Sequence, residues 1–257
     1  MNGKMTAQDA KKAKIIIVMP AYNAEKTLKQ TCSLIPCDSF DEIILVDDAS
    51  VDKTIEIAKE LKLKTIAHTK NKGYGANQKT CYKQALNDGA DIIVMLHPDN
   101  QYDPRLIPNL TLPILEGQAD VVFGSRMLYD PILGGPLQGK MPRYKFICNK
   151  FLTLIENLVL GTYFSEFHTG YRAFSRKALE SINYDLNSDG FIFDNEIIIQ
   201  LFLKKVRFKE IPTITKYFSD ASSTSFRQSL VYGFGIIKTM FKYLLHVNKI
   251  KKYKQFL

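Results

Sequence analysis

The sequence has only four cysteines in 257 residues, and their placement disfavours the usual cysteine-based functions. Cys32, Cys37, Cys81 and Cys148 form no C-x-x-C pair, and no histidine pattern lies beside them. A zinc site built on cysteine is therefore disfavoured. Unpaired thiols are typical of a reducing compartment, so we expect a cytoplasmic protein.

Long apolar runs are also missing. No stretch reaches the roughly 20 consecutive apolar residues that a membrane-spanning helix requires. The first residues, MNGKMTAQDAKKAK, contain no apolar segment of the kind found in secretory signals. The hydrophobic content of 46% nevertheless suits one large globular domain with a substantial core.

Acidic residues are absent from the end of the chain. No Asp or Glu follows Asp220, and this segment holds most of the excess behind the net charge of +9. Its basic residues are Arg227, Lys238, Lys242, Lys249, Lys251, Lys252 and Lys254. A basic excess is compatible with nucleic-acid binding. We expect no nucleic-acid partner, because these residues lie in an apolar segment that offers no platform for stacking bases.

The same segment predicts a helix with one apolar side. Phe234, Ile237, Phe241, Leu244 and Leu245 recur at helical spacing, with lysines between them. A basic amphipathic helix of this type fits an anionic membrane surface, which predicts a peripheral protein at the cytoplasmic face of a membrane. The apolar stripe fits equally a helix packed on the protein's own core.

Upstream of this segment, strand-like and helix-like segments alternate at short intervals. The strand-like segments are KIIIVMP, DEIILVDDAS, KLKTIAHT, ADIIVMLHPDN and ADVVFGSR. Their alternation with helical patterns predicts a single Rossmann-like α/β domain, with a mainly parallel sheet flanked by helices.

The regular alternation ends near Met127, where a Gly- and Pro-rich loop is predicted. The later predicted elements are helices over 144–161 and 193–205, a strand over 207–213 and a terminal helix over 229–257. The predicted organisation is a flexible N-terminus over 1–13, a domain over 14–220 and a basic amphipathic helical extension over 221–257.

Polar residues follow the predicted strands, in the segments MPAYNAE, VDDAS, HPDNQ and GSR. Ligands of open α/β sheets bind beyond the carboxyl ends of the strands. One Asp or Asn there is an ordinary capping residue. Acids at successive ends repel one another unless a cation or a hydrogen-bonding ligand is present, so we expect a binding site at this edge.

Motifs of several common enzyme classes are absent. GYGANQ only partly matches the dinucleotide fingerprint G-x-G-x-x-G, because its third glycine is missing and no strand directly precedes it. The sequence has no Walker lysine pattern, no G-x-S-x-G and no H-E-x-x-H. His68 and His246 stand apart from these motifs, and we expect them to be structural or exposed.

The segments IIIVMPAYNAEKTL, EIILVDDASVDKT, NKGYGANQ, DIIVMLHPDNQYDP, VVFGSR and HTGYRAFSRKAL follow one another in a distinctive order and spacing. In this respect the chain resembles glycosyltransferase family 2 from about Lys14 to about Thr215. That family includes dolichyl-phosphate mannose synthases and bacterial polyprenyl-phosphate glycosyltransferases. The resemblance implies a GT-A fold, a nucleotide-diphosphate-sugar donor, inversion at the transferred sugar, and a divalent metal, Mg²⁺ or Mn²⁺.

The resemblance also implies which residues hold the donor. PAYNAE resembles the family's P-x-Y-N-E-E stretch, with Ala24 in place of the usual first glutamate. Asp48 resembles the acid that binds the base or ribose, with Asp47 as the alternative. The implied donor contacts are Pro20, Ala21, Tyr22, Glu25, Asp47, Asp48, Ser50, Lys72, Gly73 and Asp99.

The segment HPDNQ resembles the family's metal motif, D-x-D followed by a glutamine. His97 replaces the first aspartate, Asp99 matches the second and Gln101 matches the glutamine. The implied metal ligands are therefore Asp99 first, then Gln101 and His97, together with the donor's phosphates. An imidazole suits Mn²⁺ better than Mg²⁺. His97 could instead hydrogen-bond the sugar or the diphosphate, and a capped strand without metal is a further alternative.

The segment SEFHTGYRAFSRKAL resembles the family's D-x-T-S-G-F-R-L-Y-R stretch. The implied catalytic residues are Glu166, Arg172 and, on the helix FDNEII, Asp194. If the acceptor is a hydroxyl group, Glu166 is the first candidate for the base and Asp194 the second. If the acceptor is an anionic phosphate, no strong base is needed, and Arg126, Arg172 and Arg176 are expected to hold it. Surface ion pairing and ordinary helix-end charge are the structural alternatives.

The expected activity is transfer of a hexose from a UDP- or GDP-sugar to a polyprenyl, dolichyl-like phosphate. One alternative acceptor is a glycan or lipid-linked saccharide in cell-surface polysaccharide synthesis. Another alternative, which the missing first aspartate motivates, is a nucleotide-sugar-binding protein without catalysis.

Overall fold

The computed structural model describes residues 12–132, 134–216 and 226–257. The strands are β1 Ile15–Ala21, β2 Glu42–Asp47, β3 Lys64–Ala67, β4 Ile92–Met95, β5 Val121–Ser125, β6 Arg172–Ser175 and β7 Phe208–Pro212. The helices are α1 Leu28–Ser33, α2 Thr54–Glu60, α3 Tyr74–Asn87, α4 Ile107–Leu115, α5 Arg143–Leu160, α6 Arg176–Glu180, α7 Phe193–Leu203 and α8 Phe226–Val247.

The strands form one seven-stranded sheet in the order β3-β2-β1-β4-β6-β5-β7. The pairs β1–β2, β1–β4, β2–β3 and β5–β7 are parallel, which confirms the predicted, mainly parallel α/β sheet. Strand β6 is antiparallel to both of its neighbours, β4 and β5. The residue pattern does not indicate this strand, because β6 has only four residues and begins with an arginine.

Helices cover both faces of the sheet, so the central strands are apolar on both sides. In β1, Ile16 and Val18 pack with side chains of α3, α7 and α8, whereas Ile17 and Met19 pack with α1 and α4. Burial on both faces explains why this strand is a continuous apolar run without polar alternation.

The terminal helix is shorter than predicted. Helix α8 ends at Val247, and the chain then turns through Lys249, whose φ is +59°. Phe256 lies only 5% exposed in the core beside α7, which is why the helix cannot continue to residue 257. Part of the predicted N-terminal segment and the predicted boundary at residue 220 lie outside the described residues. Within the described ranges, no helix is long and apolar enough to cross a bilayer.

Candidate active site

The loops after β1 and β2 join into one wall at the carboxyl edge of the sheet. The backbone N–H of Asn23 donates to Ser50 Oγ at 2.8 Å. The N–H of Glu25 donates to Asp52 at 3.0 Å, and Glu25 in turn accepts from the N–H of Lys53 at 3.0 Å. These reciprocal bonds explain why both loops carry Asn, Ser, Asp and Glu, and they hold the predicted donor residues of the two loops together.

The predicted donor residues after β1 differ in what they can offer a ligand. Pro20 and Ala21 are buried strand residues that pair with Val46 and Asp47 of β2. Tyr22 follows them with its side chain exposed at the edge of the sheet. Tyr22 is therefore the residue in PAYNAE whose ring is available for stacking on a base.

Asp48 is buried and holds the loop that leads into α3. Its carboxylate accepts from the N–H groups of Lys72 and Gly73, each at 2.9 Å, and lies 2.7 Å from Nδ1 of His68. Asp47 is also buried, and it accepts from the N–H of Ser50 at 2.9 Å. The two acids thus shape the wall and the loop. Direct contact of either with a base or ribose stays a prediction.

The amino end of α3 is covered by the segment before α7. The N–H of Gly75 donates to the carbonyl of Asp189 at 2.7 Å, and a Cβ on Gly75 would lie 2.4 Å from the carbonyl oxygen of Ser188. A protein carbonyl therefore occupies the position where a dinucleotide fold binds phosphate. The glycines of GYGANQ serve this close backbone approach.

His97 and Asp194 belong to one hydrogen-bonded network. Nε2 of His97 lies 3.1 Å from the hydroxyl of Tyr74, which donates to Asp194 Oδ2 at 2.8 Å. The rings of Tyr74 and His97 are stacked with centroids 5.5 Å apart. Asp194 also accepts from Gln78 at 2.9 Å and from Arg172 at 3.3 Å. The fold therefore links a predicted metal ligand to a predicted base candidate through a tyrosine that sequence reasoning missed.

Asp99 and Gln101 lie in the turn after β4. Asp99 Oδ1 accepts from the N–H of Gln101 at 3.1 Å, and the intervening Asn100 has a φ of +58°. Across the part of the chain that the structure describes, no three His, Cys, Asp or Glu side chains converge as a complete metal site. The predicted ligands His97, Asp99 and Gln101 offer the nitrogen and oxygen donors that a divalent cation accepts, with further ligands from donor phosphates and water. Their role as a metal site stays a prediction.

Glu166 is fully buried and paired with Arg126. It accepts from Nε and the backbone N–H of Arg126 at 2.8 and 2.7 Å, and from Asn149 at 2.7 Å. Burial raises the pKa of Glu166, but the charge of Arg126 and these hydrogen bonds outweigh it and hold the pKa below its usual value. A buried carboxylate of low pKa is a weak proton acceptor. The arrangement suits an anchor for Arg126, whose side chain remains 14% exposed.

Arg172 is buried beneath the site and does not face it. Its side chain is only 1% exposed, and it donates to the carbonyls of Asp194 and Phe167 at 3.0 and 3.1 Å. The guanidinium carbon lies 5.5 Å from the centre of the Phe123 ring. In this structure Arg172 holds Asp194 in place, and its contact with an acceptor stays a prediction.

Arg176 lies at the end of the sheet opposite to the site, near the first residue of β4. Because β6 runs antiparallel to β4, Arg172 pairs with Met95 at the site, whereas the residue just before Arg176 pairs with Ile92 at the far end. Arg176 there donates to the carbonyls of Leu86 and Ala90, each at 2.7 Å. The expectation that Arg176 binds the acceptor is corrected, and Arg176 instead caps the end of α3.

His168, Glu156 and Tyr232 form a buried polar cluster that the sequence pattern did not predict. His168 Nε2 lies 3.1 Å from Glu156 of α5, and His168 Nδ1 lies 3.3 Å from the hydroxyl of Tyr232 of α8. The carbonyl of His168 accepts from Arg126 at 2.9 Å. Glu156 lies in the mostly apolar segment FLTLIENLVL of α5, and a charged residue in such a segment is the sequence signal that could have indicated a buried charge.

Comparison with known proteins places these features in a family. The sequences described as Glycosyl transferase family 2 match residues 16–182. A UDP-N-acetylglucosamine–dolichyl-phosphate N-acetylglucosaminyltransferase of Methanococcus voltae is 33% identical over 221 residues, which are 79% of this chain and 86% of that enzyme. A dolichol-phosphate mannosyltransferase of Pyrococcus furiosus is 27% identical over 250 residues, which are 94% of this chain but 64% of that longer enzyme.

A solved structure shares the fold. Glucosyl-3-phosphoglycerate synthase from Mycobacterium tuberculosis, in complex with Mn²⁺, uridine diphosphate and phosphoglyceric acid, superposes with a TM-score of 0.64 at 17% identity. The superposition covers 90% of this chain and 78% of that chain. The likeness confirms the GT-A fold that the sequence resemblance implied.

Proposed function

This chain belongs to glycosyl transferase family 2, and we propose that it transfers a hexose from a UDP- or GDP-sugar to a polyprenyl phosphate, with inversion at the sugar. We favour UDP, because the Methanococcus voltae relative is named for a UDP-sugar and the Mycobacterium tuberculosis structure holds uridine diphosphate. The dolichyl-phosphate and dolichol-phosphate acceptors in the names of the relatives support the choice of acceptor.

The observation that carries the proposal is that both candidate bases are paired with arginines. Glu166 pairs with Arg126 and Asp194 pairs with Arg172. Glu166, whose pKa is held below its usual value, binds a proton weakly, and both carboxylate oxygens of Asp194 already accept hydrogen bonds from Tyr74, Gln78 or Arg172. Neither acid is therefore suited to deprotonate a hydroxyl acceptor. A phosphate acceptor is already anionic and needs no such base.

Positive charge is available where an anionic acceptor would approach. Arg126 reaches the edge of the site and is oriented by Glu166. Lys145, in the first turn of α5, lies near enough that partial burial and the charge of Arg126 both lower its pKa. A phosphate between these two cations would gain charge-assisted hydrogen bonds and relieve their mutual repulsion.

In the proposed reaction, an oxygen of the acceptor phosphate attacks the anomeric carbon while the bond from that carbon to the donor diphosphate breaks. Arg126 orients the attacking phosphate. Asp99, Gln101 and His97 would hold a Mg²⁺ or Mn²⁺ ion, which supplies charge to stabilise the leaving diphosphate. Tyr22 and the joined loops of β1 and β2 would hold the nucleoside.

We also propose that α5 and α8 place this site against a membrane. On α5, Ile147 and Phe151 are exposed, the latter at 59%, and on α8, Phe234 and Phe241 are exposed, the latter at 60%. The opposite side of α8 is buried through residues such as Met240, which supports the interpretation that the helix packs on the core. The exposed side is the part that we propose for the membrane contact. The nearby lysines favour an anionic surface, where a lipid-linked phosphate would be presented.

The test uses purified protein with radiolabelled UDP-glucose, UDP-N-acetylglucosamine and GDP-mannose, each offered with polyprenyl phosphate or with the dephosphorylated polyprenol. We expect product that extracts into organic solvent with one donor, and only with the phosphorylated lipid. Transfer to polyprenol would contradict the phosphate acceptor. Nucleotide binding without transfer to any acceptor would support the non-catalytic alternative.

Two arginine variants test whether Arg126 contacts the acceptor phosphate. Arg126→Ala is expected to raise the KM for the lipid phosphate by about 10- to 100-fold, because it removes a charge-assisted contact. Arg207→Ala removes an exposed arginine paired with Asp120 at the start of β5, on the opposite edge of the sheet, and is expected to leave that KM unchanged. Equal effects of the two variants would contradict the role of Arg126.

A further inference from the structure

We propose that Tyr74 and Asp194 are positioning residues that fix one tautomer of His97, so that Nδ1 of His97 presents a lone pair as a ligand for the divalent cation. The proposal rests on the proposed function, because that cation is the one bound with the donor diphosphate. It explains how this chain can work with a histidine at the position where the family motif has its first aspartate.

The ring of His97 is held from two sides. Its stacking partner, Tyr74, is itself packed against Phe191 with ring centroids 4.9 Å apart. On another side lies the backbone of Gly170, where a Cβ would be only 2.7 Å from Nε2 of His97. The imidazole is therefore confined to one plane, and the glycine is required for it to lie there.

The hydrogen-bond donors determine the tautomer. The hydroxyl of Tyr74 has one proton, and it donates that proton to the carboxylate of Asp194. The contact between Tyr74 and His97 must then use the proton on Nε2 of His97 and a lone pair of the tyrosine oxygen. Neutral His97 with a proton on Nε2 has its free lone pair on Nδ1.

The carboxylate that accepts the proton of Tyr74 is itself held in place. Asp194 is fixed by Arg172 and by the amide of Gln78. The orientation of that amide is set in turn by Tyr82, whose hydroxyl donates to Gln78 Oε1 at 2.9 Å.

This chain of contacts has the form that supports histidine ligands in metal sites, where the second ring nitrogen donates to a fixed acceptor. A histidine with its proton on Nε2 cannot donate from Nδ1 to a phosphate oxygen, so the network favours a cation over the diphosphate as the partner of His97. A neutral nitrogen ligand in place of a carboxylate is expected to shift the preference from Mg²⁺ towards Mn²⁺.

The first measurement is the tautomer of His97 in the protein without metal, from long-range ¹H–¹⁵N correlation spectra. The chain has only four histidines, and the spectrum of His97→Gln identifies the signal of His97. We expect the tautomer with the proton on Nε2 in the wild type, and a mixture of tautomers in Tyr74→Phe, which keeps the ring but removes the hydroxyl. A proton on Nδ1 in the wild type would overturn the proposal.

The second measurement is calorimetry of UDP and GDP binding, with and without Mn²⁺. Tyr74→Phe is expected to weaken nucleotide binding with Mn²⁺ by about 10- to 100-fold and to leave binding without metal unchanged. Tyr243→Phe, which alters a buried tyrosine of α8, is the matched control and should bind as the wild type does. Equal weakening with and without Mn²⁺ would overturn the proposal, because His97 would then contact the nucleotide itself.

Misfolding of Tyr74→Phe and a lack of nucleotide binding by the wild type can each be distinguished from failure of this proposal. If Tyr74→Phe does not fold, Gly170→Ala displaces His97 by contact with its ring and is expected to weaken only the Mn²⁺-dependent binding. If the wild type binds neither nucleotide, the proposed function fails, and the tautomer spectrum still decides the positioning role of Tyr74 and Asp194.

Discussion

At the scale of single residues, the site is dominated by charges that are already paired within the protein. Glu166 and Arg172 are fully buried, and each has a partner of opposite charge. Removing one member of such a pair leaves the other uncompensated in a medium of low dielectric constant. These residues therefore contribute both to stability and to the orientation of the groups that reach the site.

The variant Glu166→Gln separates orientation from proton transfer. We expect the KM for the lipid phosphate to rise by about tenfold with a small change in kcat, because Arg126 is less firmly held. A general base would give a different result, a fall in kcat by a factor of about 10² to 10⁴. Steady-state kinetics with varied acceptor distinguish the two.

Glu166 also makes stability depend on pH. Its pKa in the folded protein is lowered below the ordinary 4.5, so folding favours the ionised form. The resulting stabilisation is complete above about pH 4.5 and is lost as the pH falls through the lowered folded pKa. Urea unfolding should therefore show Glu166→Gln to be less stable than the wild type by about 3 kcal/mol at pH 7, with a smaller difference at pH 4. A difference that is constant with pH would contradict this assignment.

At the scale of elements, the loop into α3 and the segment before α7 are packed backbone against backbone. Gly73 has a φ of +101°, and a Cβ there would lie 2.6 Å from the carbonyl oxygen of Asp189. Asp48 holds the same loop from the other side through two backbone hydrogen bonds. The loop, which is part of the predicted donor site, is thus held firmly on both sides.

Gly73→Ala is expected to lower the free energy of unfolding by about 3 kcal/mol, through backbone strain and steric contact, and to weaken UDP binding. Gly117→Ala is the control, since Gly117 has a φ of +67° but no neighbour within 4 Å of a Cβ. It should cost only about 1 kcal/mol and leave UDP binding unchanged. Urea unfolding and calorimetry measure both effects, and similar values for the two variants would contradict the packing argument.

The exposed apolar side of α5 and α8 predicts binding to vesicles. Phe151→Glu combined with Phe241→Glu is expected to reduce binding to phosphatidylglycerol vesicles by roughly tenfold or more, because two exposed aromatic side chains are lost from the proposed lipid contact. Leu112→Glu on α4, which lies on the other face of the sheet, is the control. Co-sedimentation measures binding, and unchanged binding of the double variant would exclude this side as the membrane contact.

At the scale of the whole molecule, the direction of β6 and the path of the last residues decide which charges meet. Antiparallel β6 brings Arg172 under Asp194 and carries Arg176 to the far edge. The chain after α8 returns to α7, where Gln200 donates to the carbonyl of Gln255. Part of the predicted basic extension is therefore packed against the domain.

Phe256→Ala tests this packing. The side chain is 5% exposed beside His246 and Tyr253, so its loss is expected to lower the free energy of unfolding by about 3 kcal/mol. Leu257→Ala alters a neighbouring exposed side chain and should change stability by less than about 0.5 kcal/mol. Equal urea midpoints for Phe256→Ala and the wild type would show that the end of the chain does not pack as described.

The sequence by itself determined the fold class and the family, and it predicted the edge of the sheet for the site. Short β-branched apolar runs such as IIIVMP indicate buried strands, and acids after successive parallel strands lie at one edge of the sheet. These conclusions depend on local pattern and chain order, which are fully contained in the sequence.

Only the tertiary structure decided the partners of the charged residues. Nothing in the spacing of Tyr74, His97 and Asp194 shows that they touch, because the chain separating them is long and side-chain contacts depend on packing. Likewise, Arg172 and Arg176 are four residues apart, yet an antiparallel strand that advances about 3.3 Å per residue places them at opposite edges. The direction of a short strand is set by the elements that it joins. That direction in turn decides whether a residue of the strand lies near the site or at the far end of the sheet, where it supports the fold.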